Sequence, residues 1–139
     1  MSEFIWLDDY KIGHATVDAQ HQHLFELANK IVEAGSSEAL THLFMLFYQH
    51  VREHFEAEEQ LMKQCRYPGY VQHISAHNQM LEKLNEISET IFDRHWQPAA
   101  IKAFVTRWVL VHIREEDRLM GEYMHTLPEY RSDTCLTTE

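Results

Sequence analysis

The sequence predicts an all-α fold, an up-down-up-down four-helix bundle with an N-terminal arm, and three observations carry that prediction. Its 139 residues include only four glycines and three prolines, too few breakers for many short strands. Apolar residues recur at three- and four-residue spacing in four separate stretches, the pattern of a helix with one buried face. The turn signals between those stretches are short, which makes successive helices antiparallel neighbours.

Residues 1–17 are expected to form an arm whose aromatics, Phe4, Trp6 and Tyr10, pack on the domain. The bundle is expected over residues 18–125. Its first helix should start at Asp18, a good N-cap. It carries the stripe His21, Leu24, Phe25, Ala28, Ile31 and Val32, with Gly35 as its stop. The second follows Ser36-Ser37 and carries Leu43, Phe47, His50 or Val51, His54, Glu58, Leu61 and Met62. It breaks at YPGY, Tyr67 to Tyr70. The third runs from about Tyr70 with the stripe His73, His77, Met80, Leu84, Ile87 and Ile91. Gln97-Pro98 opens the fourth, since proline is tolerated in a first turn. Its stripe is Ile101, Phe104 or Val105, Trp108, His112, Glu115 and Leu119, and Gly121 and Pro128 bracket its end. Residues 126–139 read as a polar C-terminal tail.

Composition narrows the partners. Twelve Lys and Arg stand against twenty-two Asp and Glu, a net charge of −10 with histidine neutral. Such a chain repels phosphate backbones, so no nucleic-acid partner is expected. No apolar run approaches the ~18 residues of a membrane span, so no membrane partner is expected. The opening MSEFIWLDDYK lacks the basic end and long apolar core of a secretory signal. Cys65 and Cys135 have no metal-ligand spacing and read as free thiols of a reducing compartment, which points to the cytoplasm.

The chain has eleven histidines, and all four expected helices place histidine on the face that should be buried. These are His21, His54, the pair His73 and His77, and His112. Buried polar groups must be satisfied. One such histidine reads as a hydrogen-bonded core residue, whereas five at one level of a small bundle are satisfied together by a metal. His73 and His77 stand at i, i+4, which puts both rings on one helix face, and His54 and Glu58 repeat that spacing. Imidazole with carboxylate suits iron, zinc, copper or nickel. No HExxH motif is present, which disfavours a zinc protease. The Glu-x-x-His pairs of ferritin-type centres are reduced to Glu122 and His125 at a helix end. His14, His23, His42, His95 and His125 fall off the ligand faces, His50 reads as packed or exposed, and Glu59 reads as solvated.

Four motifs in order resemble those of the bacterial hemerythrins: VDAQHQHLF around His21, HFEAEEQLM from His54, YPGYVQHISAH ending at His77, and WVLVHIREED ending at Asp117. The resemblance covers roughly residues 4–125. It implies two iron ions joined by a bridging oxo or hydroxo group. One ion is held by His73, His77 and His112, the other by His21 and His54, and Glu58 and Asp117 bridge them. Counting donors on two six-coordinate irons leaves one position open, on the iron with two histidines, where dioxygen binds reversibly. Leu24, Phe55, Trp108, Val109 and Ile113 flank the ligands, and the resemblance makes them the lining of a dry oxygen pocket. Val109 is smaller than the leucine expected there, so Val109→Leu should slow autoxidation.

The expected function is therefore oxygen storage, delivery or scavenging by a monomeric, non-enzymatic protein whose ligand is dioxygen. The alternatives are an oxygen- or redox-sensing module acting on a fused or separate signalling partner, turnover of peroxide or nitric oxide at the same irons, and a bundle that binds zinc or nothing.

One conflict stays open within HIREED, His112 to Asp117. At ~100° per residue, regular α-helix spacing picks Glu116, at i+4 from His112. The family pattern picks Asp117, at i+5. Both descriptions hold together only if the helix is locally widened by a π-type bulge. In that case Glu115 and Glu116 should point mainly to solvent.

Overall fold

The first helix, α1 (Ala15–Val32), begins three residues before Asp18. His14 takes the cap position, and its Nδ1 accepts the Val17 N–H at 3.3 Å. Asp18 has a different task. Its carboxylate accepts the N–H groups of Ile12 at 2.8 Å and Gly13 at 3.2 Å, so it fastens the incoming arm to the first turn. Gly13 sits at φ 88°, and an added Cβ would overlap the His125 ring. In this computed structural model residues 4–93 and 97–127 are described, apart from the side chains of Pro98, Val109 and Leu110.

The second helix, α2 (Ser37–Cys65), is capped by Ser36, whose Oγ accepts the Ala39 N–H at 3.1 Å. It ends where Arg66 adopts the left-handed conformation, just ahead of the YPGY segment. The third, α3 (Tyr70–Phe92), follows directly. The last rod has three parts: α4 (Pro98–Arg107), a π-helical segment (Trp108–Asp117) and α5 (Arg118–His125). α1 packs on α2 and α4, and α3 packs on α2, α4 and the π segment. The result is the expected four-helix bundle, with no strand among the described residues. No helix is long and apolar enough to cross a membrane.

The arm packs through its aromatics. Trp6 and Tyr10 meet Phe25 at ring separations of 5.2 and 5.5 Å. Asn29 pairs with the backbone of Phe4 through two 2.8 Å bonds.

Two apolar clusters fill the bundle. One is built around Phe25, Phe47, Phe55, Leu84 and Trp108. The other joins Ile12 and Val17 to Leu61, Met62, Met120 and Met124. Along every rod, the buried histidines and carboxylates fall at the boundary between these clusters or next to it.

Two further sequence expectations need correction. Glu115 and Leu119 do not continue the fourth buried stripe; both are exposed, and Asp117, Met120 and Met124 are buried in their place. The π segment adds backbone without a full turn, which rotates every later side chain relative to regular α spacing. Gly121 lies inside the last helix, which ends at His125, between the two expected brackets. It is needed because Ile12 crosses there, and an added Cβ would lie 2.7 Å from the Ile12 carbonyl oxygen. Finally, Cys65 is disulfide-bonded rather than a free thiol. The chain's other cysteine, Cys135, lies outside the described residues, and the thiol argument for a reducing compartment falls away.

Candidate metal centre

α1 contributes His21, α2 contributes His54 and Glu58, and α3 contributes His73 and His77. The π segment contributes His112 and Asp117. All seven side chains are buried, and Glu58 and Asp117 are wholly inaccessible to water. They form two overlapping groups, each with donor atoms close enough to hold one metal ion. The first is His73, His77 and His112 with Glu58 and Asp117; the second is His21 and His54 with the same two carboxylates.

The carboxylate oxygens divide between the groups. Glu58 Oε1 lies 3.0 Å from His77 Nε2 and 3.2 Å from His73 Nε2, while its Oε2 lies 3.1 Å from His54 Nε2 and 3.4 Å from His21 Nε2. Asp117 repeats the division. Its Oδ1 is 3.0 Å from the Nε2 atoms of both His73 and His112, and its Oδ2 is 3.1 Å from His21 Nε2.

These short distances do not amount to a satisfied hydrogen-bond network. Both oxygens of Asp117, Glu58 Oε2, His54 Nε2 and both ring nitrogens of His21 are buried without a hydrogen-bond partner. An unpaired buried polar group costs about 1–3 kcal/mol. Several at one point indicate lone pairs gathered for a cation rather than for each other. The donor set of imidazole and carboxylate, without thiolate, fits iron among the first-row metals.

The electrostatics of the metal-free protein point the same way. Burial opposes the charged form of His21, yet Asp117 and Glu58 outweigh it and raise its pKa to about 9. His73 behaves alike, with burial again outweighed by Asp117 and Glu58, and also reaches about 9. His112 is held well above the usual range against its burial, chiefly by Asp117. His54 is lowered, because burial dominates there. Burial pushes the carboxyls of Glu58 and Asp117 up, but His54 and His112 respectively, with the other imidazoles, hold both well below the usual range. The pocket thus keeps two buried negative charges and recruits protons when no other cation is present.

The conflict within HIREED is resolved by geometry. The helix has π geometry over WVLVHIREED, and the extra residue carries Asp117 into the cluster. Glu115 is exposed, as the bulged reading of HIREED requires and the regular stripe did not. Glu116 is not simply solvated: it lies 3.2 Å from His112 Nδ1 with 31% of its side chain exposed. Glu59, also read as solvated, lies 3.0 Å from His77 Nδ1. On the other side, Gln20 Oε1 lies 2.6 Å from His54 Nδ1. Sequence reasoning missed these three partners. The signal for two of them was present, since Glu116 stands at i+4 from His112 and Glu59 neighbours Glu58. Gln20 had no comparable signal.

Of the expected pocket residues, Leu24, Phe55, Trp108 and Ile113 are each about 1% exposed. Phe55 stacks on His77 at 3.8 Å and 5°, and Trp108 meets His21 edge-on at 5.8 Å. The Val109 side chain lies outside the described residues.

Comparison with known proteins identifies the family. The family model described as the hemerythrin HHE cation binding domain matches residues 13–124. A bacteriohemerythrin of Clostridium acetobutylicum is 27% identical over 124 residues, covering 83% of this chain and 96% of that protein. A myohemerythrin of Riftia pachyptila is 26% identical over 117 residues, covering 84% and 89%. A crystal structure of wild-type hemerythrin superposes with a TM-score of 0.79 at 20% identity, over 87% of this chain and 97% of that one, and so shares the fold. With the motif match spanning all four helical rods, this chain belongs to the hemerythrin family.

Proposed function

We propose that the protein holds two iron ions, bridged by Glu58 and Asp117 and by an oxo or hydroxo group, and binds dioxygen reversibly for storage, delivery or scavenging. His73, His77 and His112 would hold one ion, and His21 and His54 the other. The observation that carries the proposal is the division of both carboxylates, one oxygen of each toward the three-histidine group and the other toward the two-histidine group. The two-histidine group is one donor short, so a small ligand has a place there. The relatives' names, bacteriohemerythrin and myohemerythrin, support the same reading. A ferrous pair held by these residues would supply two electrons and one open coordination position.

The chain's own residues supply the rest. Glu59 and Glu116 fix the ring orientation of His77 and His112 from behind. Phe55, Leu24, Trp108 and Ile113 exclude water from the imidazoles. All donors come from one chain, so the centre is complete in a monomer.

The test is anaerobic reduction of the iron-loaded protein, then air, then argon, followed in the visible range. A charge-transfer band that forms in air and disappears under argon is expected. Irreversible conversion to the oxidised form would overturn reversible carriage and move the reading to redox sensing or turnover.

A further inference from the structure

A second pair of facing histidines lies outside the buried centre. His23 on α1 and His50 on α2 meet across the helix interface with ring centroids 4.6 Å apart at 80°. Pairs within the buried centre have the same geometry: His21 and His54 at 4.4 Å and 70°, and His73 and His77 at 4.6 Å and 86°. Two imidazoles that share one metal at bond lengths of about 2.0–2.1 Å bring their centroids to roughly 5 Å, so the His23 and His50 rings are close enough to share one ion once their nitrogens turn toward it.

Carboxylates stand beside both rings. His50 Nδ1 is 4.0 Å from Glu53 Oε1, and His23 Nδ1 is 3.9 Å from Glu26 Oε1. Donors around one such ion lie roughly 3 Å apart; those of His23, His50 and Glu53 do not all lie within 4.8 Å of one another, so the exposed His23 ring has to rotate and Glu53 has to swing inward. Its side chain is 57% exposed and has that freedom. The three residues line a cavity of about 520 Å³ that also reaches Gln20, Leu24 and His54.

We infer that His23, His50 and Glu53 form a surface site for one divalent transition-metal cation. The ligand class is a borderline cation such as Zn2+, because two imidazoles and one carboxylate exclude neither nitrogen- nor oxygen-preferring ions but offer no thiolate. Water completes the shell, since His23 and His50 are 49% and 39% exposed. The cavity it shares with His54 places a held cation at the solvent side of the two-histidine group. The site stands independently of whether the buried centre carries iron.

The experiment titrates Zn2+ into the metal-loaded protein by calorimetry, with bound iron measured in the same samples. The wild-type chain should take up one equivalent with its iron unchanged. H23Q and H50Q should each weaken that binding by more than about tenfold. H42Q, which removes an exposed histidine elsewhere on α2, should bind as the wild type does. Equal Zn2+ affinity in H23Q, H50Q and the wild type would overturn the inference, as would no uptake or uptake only in step with iron loss. Loss of the buried centre would show separately, as absent iron at the start.

Discussion

The three-histidine and two-histidine halves of the centre share both carboxylates but differ in how their imidazoles are held. On the first side, the outer nitrogens of His77 and His112 face carboxylates, Glu59 and Glu116, and Phe55 stacks flat on His77. On the second side, His54 leans on a neutral amide, Gln20, and His21 Nδ1 is buried with no hydrogen-bond partner. A carboxylate behind an imidazole raises its basicity and locks its orientation, which a neutral amide does less strongly. The fuller half is thus the more rigid and electron-rich one, and the half with room for a ligand is the more loosely held. On the proposed two-iron reading, this division would place stable metal retention on one ion and ligand exchange on the other.

The shared carboxylates are the strongest place to break that comparison. Asp117→Asn removes a wholly buried charge from both halves, a loss of about 3–5 kcal/mol, and should empty both after anaerobic iron reconstitution. Glu116→Gln in parallel should leave two ions bound. Elemental analysis that found the reverse would mean the π segment delivers the wrong carboxylate.

The next effect separates the halves by their outer partners. Glu59→Gln and Glu116→Gln should each weaken metal retention by about 10–100-fold in chelator competition. Gln20→Ala should cost less, and Gln20→Glu should tighten the two-histidine half. Equal losses on both sides would erase the distinction.

Removing the metal changes the pH dependence. In the metal-free chain His21 and His73 rise from 6.5 to about 9, and His112 moves in the same direction. His21 and His73 each contribute stability that is whole below about pH 6.5 and is lost as pH rises through about 9, and His112 acts in the same sense. His54, lowered by burial, acts in the opposite sense but is one group against three. Glu58 and Asp117, held low, contribute stability above their ordinary range that is lost as acid protonates them. The chelated protein should therefore melt at least about 5 °C lower at pH 9 than at pH 6.5, and metal uptake should release protons. A rising Tm across that window in thermal scans would contradict proton recruitment by the cluster.

The smallest expected effect concerns packing. Phe55→Leu removes the ring stacked on His77 and should lower the stability of the loaded protein by about 1–2 kcal/mol in denaturant unfolding. Trp108→Phe, beside His21, should cost a similar amount but act on the other half. The two variants should differ in which histidine's NMR signals shift.

Much of this protein was legible in its sequence because a helix buries one face and imidazoles on that face need a partner. The stripes gave four helical rods, and His21, His54, His73, His77 and His112 stood out as polar residues at buried positions. Periodicity could not choose between Glu116 and Asp117, because regular helix arithmetic assumes a backbone that π geometry abandons. For the same reason it placed Glu115 and Leu119 inside and overlooked Met120 and Met124.

The sequence by itself determined the helical class, the buried histidine set and, through its motifs, the family. Only the tertiary structure decided the contacts between residues far apart in the chain. Asp18 fastens the arm because the chain doubles back there, Gly121 is required because Ile12 crosses it, and Gln20 reaches His54 across the space between two helices. Such contacts depend on how rods pack, and spacing within one rod carries no information about its neighbour.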